Sequence, residues 1–201
     1  IAGNEALPAN ADLIIVPGSK STIADLLRFR EAGWEAQLQA HVERGGAVLG
    51  VCGGYQMLGA QIRDPDAIEG STTEIQGLGL LDVETVLQPK KTVKTTSARA
   101  ALFAAEIDGY EIHLGRTEGE DRDRAFATVN GLAEGAVSRS GRVMGTYLHG
   151  LFADDGFRQG FLNMLGHQSE QSNYRQDVEQ ALDAIAARLE TLIDIDALFS
   201  L

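Results

Sequence analysis

The sequence predicts an α/β domain built on a parallel-rich central sheet with helices on both faces. Two aliphatic runs, Asp12-Leu-Ile-Ile-Val16 and Ala47 to Val51, are nearly continuous, as expected for strands covered on both sides. Between them Ile23, Leu26, Leu27, Trp34, Leu38 and Val42 recur at helical spacing, so the order is strand, helix, strand. Glycine, 23 of 201 residues, punctuates these runs and marks tight turns.

Taken in order, Asp12 to Val16 is the first strand, turned by Pro17-Gly18-Ser19. The helical stretch from Thr22 to Arg44 breaks near Gly33 into two pieces, and Gly45-Gly46 ends the second. Ala47 to Val51 is the second strand, Cys52-Gly53-Gly54 a turn, and Tyr55 to Gln61 a helix. Further strands are expected over Leu78 to Leu87, Gly109 to Leu114, Phe126 to Val129, Ala136 to Arg139 and Val143 to Leu148, with Asn130-Gly131 and Ser140-Gly141 as turns. Val178, Leu182, Ile185, Leu189 and Leu192 form one apolar stripe of a last helix, from Gln176 to about Ile193, after a short polar linker from Gly166 to Asn173.

Composition narrows the function. The 201 residues, 44% apolar, are enough for a sizeable core. With 17 Lys and Arg against 29 Asp and Glu the net charge is −12, which argues against a nucleic-acid partner. No apolar run approaches the roughly 20 residues that span a bilayer, so no membrane partner is expected. One cysteine and no zinc-like Cys/His cluster suit a reducing, cytoplasmic setting without metal. The chain opens at Ile1 without an initiating Met and reads as a piece of something longer.

The chemistry centres on Cys52, in Gly50-Val51-Cys52-Gly53-Gly54-Tyr55-Gln56. A cysteine at a strand-to-helix turn is held out at the carboxyl end of the sheet, and unpaired N–H groups of the following helix favour its thiolate. The competing reading is a small buried hydrophobe. Gln56 lies one helical turn on and faces a bound substrate, or else solvent. A thiolate nucleophile needs a base. Of the four histidines, His41 sits mid-helix and His167 in the linker, whereas His113 and His149 end strands. His149, followed by Gly150, is preferred and His113 held in reserve. Backbone N–H groups of Gly18, Ser19 and Gly53 are candidate oxyanion donors, although Pro17-Gly18-Ser19-Lys20 also reads as an ordinary turn. No phosphate-gripping G-x-x-x-x-G-K-[ST] pattern occurs, so ATP has no recognisable seat.

These residues resemble a known family. Gly50 to Gln56 looks like the nucleophile motif of class I, triad-type glutamine amidotransferases, and Gly145-Thr-Tyr-Leu-His149-Gly-Leu-Phe152 is similar to the histidine motif of their cobyric acid synthase branch. Asp12 to Lys20, Gly79 to Thr85, Gly109 to Thr117 and Leu192 to Phe199 extend the resemblance over nearly the whole chain. It implies a flavodoxin-like fold lacking its first strand or strands, with residues 1–168 as the amidotransferase domain and residues 174–201 as a C-terminal helix packed on it. It also implies glutamine as the nitrogen donor and an absent N-terminal synthetase domain. There ATP and magnesium would drive amidation of a corrinoid, adenosylcobyrinic acid a,c-diamide, while this chain holds no cofactor. The family's usual glutamate two residues after the histidine is replaced by Leu151, as the branch is known for. The partner that orients the imidazole is therefore left open between Glu111 and a carboxylate of another domain. Related amidotransferases acting on cobyrinic acid or peptidoglycan, an unrelated cysteine hydrolase and a non-enzymatic module remain the alternatives.

Overall fold

The computed structural model describes residues 5–168 and 173–193. Its elements in order are β1 (Leu13–Val16), α1 (Thr22–Glu31), α2 (Trp34–Glu43), β2 (Ala47–Val51), α3 (Gly53–Leu58), β3 (Gln61–Arg63), β4 (Glu74–Gln76), β5 (Glu84–Ala100) and β6 (Glu106–Glu118). There follow β7 (Ala127–Val129), β8 (Leu132–Glu134), β9 (Ala136–Val137), β10 (Val143–Thr146), β11 (Leu148–His149), α4 (Asp155–Met164) and α5 (Tyr174–Glu190).

The strands form two sheets. The first has the order β1-β2-β10-β9, its first three strands parallel and β9 antiparallel. Its aliphatic character follows from burial on both faces. Val48 points into one core with Ile23, Leu26 and Leu38 of the α1–α2 layer and Leu58 of α3. Its neighbours Ala47 and Leu49 point into a second core with Phe157 and Phe161 of α4. Helices thus cover both faces, as the sequence predicts. The second sheet is mainly antiparallel: β6 lies between β11 and β5, β5 leads on to β3 and β4, and β7 with β8 attaches to the far end of β5.

Several expected boundaries move. The break at Gly33 is real, since that residue takes φ 73 as it starts α2. The Asn130-Gly131 turn joins β7 to β8, with φ 51 and 77 at its two residues. The strand expected from Leu78 begins only at Glu84. Leu78, Leu81 and Val83 are buried, but the N–H groups of Leu78, Leu80 and Leu81 donate to the carbonyls of Met57 and Leu58. The apolar run there closes the end of α3 instead of joining a ladder. The same strand then runs to Ala100 as half of a long hairpin with β6. α4 was not expected, because Gly156 and Gly160 interrupt its pattern. Asp154 starts it by accepting from the Phe157 N–H at 2.9 Å.

The C-terminal helix departs from expectation. Tyr174–Glu190 is helical and carries the predicted stripe, yet no residue of it is buried, and Leu182 and Ile185 are 53% and 57% exposed. Among the described residues its polar contacts with the domain lie in the first turn, where the Tyr174 N–H donates to Asp155, the Arg158 guanidinium lies over the Tyr174 ring and Arg175 pairs with Asp108. Its apolar stripe is left uncovered among the described residues. Spacing specifies an apolar face but not its partner, and the facing α4 has already given Phe157 and Phe161 to the second core. Residues 169–172 of the expected linker, and the Asp194 to Phe199 part of the C-terminal motif, lie outside the described residues.

Candidate active site

Three adjacent parallel strands end at the same rim. β1 runs into Pro17-Gly18-Ser19, β2 into Cys52, and β10 through Tyr147 into the short β11 that ends at His149. Val51 is in register with Thr146, and the Cys52 N–H donates to the Thr146 carbonyl at 2.8 Å. The carboxyl rim of a parallel sheet is where α/β folds collect their chemistry, and here it gathers the cysteine, a histidine and the turn expected to face them.

Cys52 adopts φ 54 and ψ −114, a conformation that L-residues avoid. Such a backbone is maintained only because its surroundings over-determine it. A Cβ on Gly54 would overlap the Val16 carbonyl oxygen, and one on Gly145 would overlap the Tyr55 ring. The turn therefore meets β1 main chain to main chain, the Tyr55 ring packs against bare β10, and the sulfur lies 3.1 Å from the Ile112 carbonyl oxygen of β6.

His149 stands beside this cysteine. A Cβ on Gly18 would lie 3.4 Å from Cys52 Cβ and 3.6 Å from His149 Cε1, so both side chains flank the same glycine. The imidazole is stacked on Tyr110, with ring centroids 5.0 Å apart and planes within 2° of parallel. Its Nε2 is buried and finds no hydrogen-bond partner among the described residues. A buried ring nitrogen left open in this way can give or take a proton from a bound substrate.

The remaining expected residues are placed as follows. Gly53 abuts Ser19, whose backbone nitrogen would lie 2.9 Å from a Cβ built on that glycine, so the two main chains converge. The Ser19 side chain is used locally, donating to Asp25 at 2.6 Å and accepting from the Ser21 N–H. Gln56 is buried, with its amide between Thr22, the Leu114 carbonyl at 2.8 Å and the Tyr147 hydroxyl at 3.2 Å. It braces the wall between α3 and β6.

His113, the reserve base, is turned elsewhere. It stacks on Tyr147 with centroids 4.0 Å apart, its Nδ1 bonds the Gly115 carbonyl, and burial lowers its pKa below the usual histidine range. Glu111 does not orient His149. It lies on the face of β6 opposite Tyr110 and pairs with Lys94 at 3.0 Å. His41 is buried against the Ala47 carbonyl, and His167 reaches Asp12.

Sequence reasoning missed Tyr110, Tyr147 and Glu134. Tyr147 is buried against Gln56 and Thr117. Glu134 accepts hydrogen bonds from Thr146 and Tyr147, and burial pushes its carboxyl up to about 7. The signal for the tyrosines was present, since each sits within two residues of Glu111 or His149 in the quoted motifs. Nothing marked Glu134.

Comparison with known proteins places the chain in a family. Residues 2–157 match the family described as CobB/CobQ-like glutamine amidotransferase domain. A protein of Mesorhizobium japonicum named cobyric acid synthase is 57% identical over 195 residues, which is 97% of this chain and 40% of that protein. One of the same name from Brucella canis is 55% identical over 196 residues, covering 98% of this chain and 41% of its own length. The chain thus spans about two-fifths of these curated relatives. Among solved structures, a glutamine amidotransferase aligns with a TM-score of 0.53 over 78% of this chain and 80% of its own, and PurLQS from Thermotoga maritima with 0.56 over 80% and 82%. Both are 22% identical to this chain, a likeness of fold alone.

Proposed function

Because the chain belongs to the CobB/CobQ-like glutamine amidotransferase domain family, we propose that it is the glutaminase part of a cobyric acid synthase, with Cys52 as nucleophile and His149 as acid and base. The observation that carries this reading is the open, buried Nε2 of His149 beside the glycine that also borders Cys52. The Cys52 thiolate attacks the side-chain amide carbon of glutamine. The carbon–nitrogen bond breaks as His149 protonates the departing ammonia, leaving a thioester. His149 then takes a proton from water, which attacks the thioester, releases glutamate and returns the thiolate. The oxyanion formed at each attack is held by N–H groups of Gly53 and of the Gly18–Ser19 turn. Gln56 acts from behind, fixing the distance between α3 and β6.

Ammonia passes to the synthetase portion that relatives carry beyond the length covered here, and ATP and magnesium are assigned to that portion. The substrate proposed there is adenosylcobyrinic acid a,c-diamide. Cys52→Ala in the full-length protein tests the assignment. Glutamine-dependent amidation should vanish while amidation from added ammonia continues, with products read by mass spectrometry. Glutamine hydrolysis at the normal rate by this variant would rule the nucleophile out.

A further inference from the structure

The chain crosses between the two sheets twice at one place. It leaves the second sheet after Glu134, passes through Gly135 into β9 of the first, and returns through Tyr147, between β10 and β11. The return crossing matters for chemistry because His149 follows it by two residues. At such a corner the backbone N–H groups lose their ladder partners. Here one carboxylate and one hydroxyl take up two of them. Glu134 is 7% exposed and accepts from the Tyr147 N–H at 2.7 Å and from the Thr146 hydroxyl at 2.7 Å. That hydroxyl in turn accepts from the Leu148 N–H at 3.0 Å. Three consecutive residues leading to His149 are thereby tied, directly or through one hydroxyl, to the neighbouring crossing.

We propose that Glu134 is the positioning residue of the catalytic base, a clip that sets the corner at Tyr147 and so the reach of His149 towards Cys52. The inference rests on the reading of His149 as base. It gives a carboxylate of this chain a part in aligning the imidazole without touching it, where Leu151 occupies the usual glutamate position. The groups facing the clip are Tyr55 of α3, Glu111 and His113 of β6, Arg122 of the turn after β6, and Tyr147. Burial raises the carboxyl, Glu111 adds to that, and Arg122 opposes it. Both hydrogen bonds favour the ionised form, so the clip tightens as pH rises through about 7.

The test measures glutaminase kcat, KM and pH profile for the wild type, Glu134→Gln, Thr146→Val and His149→Ala in the full-length protein. A glutamine side chain keeps its oxygen for the Tyr147 N–H but loses the charge and presents an NH2 to the Thr146 hydroxyl, which can then no longer donate to residue 134. Glu134→Gln is expected to lower kcat by about ten- to a hundredfold, the scale of a small misplacement of a reacting group, with KM within about twofold. Its pH profile should also lose the rise that residue 134 contributes near neutrality. Should Glu134→Gln fail to fold, Thr146→Val carries the test through the same direction of change in kcat. If His149→Ala is inactive while the folded clip variants keep wild-type kcat and pH profile, the positioning role is overturned and the base survives. If His149→Ala retains activity, the reading beneath it fails instead.

Discussion

At the scale of single residues, the site is shaped by places where the chain has no side chain and by one residue in a backbone conformation it would ordinarily avoid. Cys52 at φ 54 carries strain of order 1–3 kcal/mol, which a glycine would release. Cys52→Gly is therefore expected to be more stable than Cys52→Ala by about 1 kcal/mol, measured by urea unfolding, with both inactive on glutamine. Equal stabilities would mean that the turn is relaxed. Gly54→Ala should do the reverse, because its methyl group has only the Val16 and Pro17 carbonyls to meet. A loss of more than about 3 kcal/mol, with glutaminase activity falling in parallel, is the expected result. Cys52 and His149 were legible in the sequence because glycine neighbours and strand ends advertise them. Tyr110 sits inside a quoted motif, but its stacking on His149 was not legible, since that depends on cross-strand register, which no local pattern encodes.

At the scale of elements, the corner between β10 and β11 ties activity to stability in opposite directions. The Glu134 carboxyl stands near 7 in the fold against an ordinary value of 4.5, so the unfolded chain releases this proton first as pH rises. The group costs nothing below 4.5, and its penalty grows until pH passes the folded value, where it reaches a few kcal/mol. Wild-type stability relative to Glu134→Gln should hence fall between pH 4.5 and 7 and level off above, as chemical denaturation at several pH values would report. A difference independent of pH would contradict the burial seen here. Elements with continuous aliphatic runs, β1 and β2, were read almost to the residue. The outer half of the β5–β6 hairpin was not, because Val93, Lys94 and Thr95 face solvent in succession and show no apolar alternation. α4 escaped because its glycines make room for other groups, as Gly160 does for the Phe103 ring.

At the scale of the whole molecule, the first sheet divides the interior into two cores, one under α1–α3 and one under α4, and neither includes α5. Charging the stripe of that helix, for example Leu182→Asp with Ile185→Asp, should shift the melting temperature by less than about 2 °C. A larger fall would show that the stripe is covered in solution. The α/β class was legible because alternation of strand and helix is a pattern of local sequence; the larger antiparallel sheet is centred on the β5–β6 hairpin, whose polar outer stretch carries little apolar alternation, and was seen only in pieces. The close approach of bare main chain around Cys52 has a further consequence. The rim formed by β1, α3 and β10 is closed by glycines in tight contact, so substitution at Gly54 or Gly145 breaks it before it can retune it. The facing strand β6, which sets Tyr110 against the His149 ring, is written in replaceable groups. Variation that adapts this pocket to another amide, in nature or in the laboratory, has to enter from the hairpin.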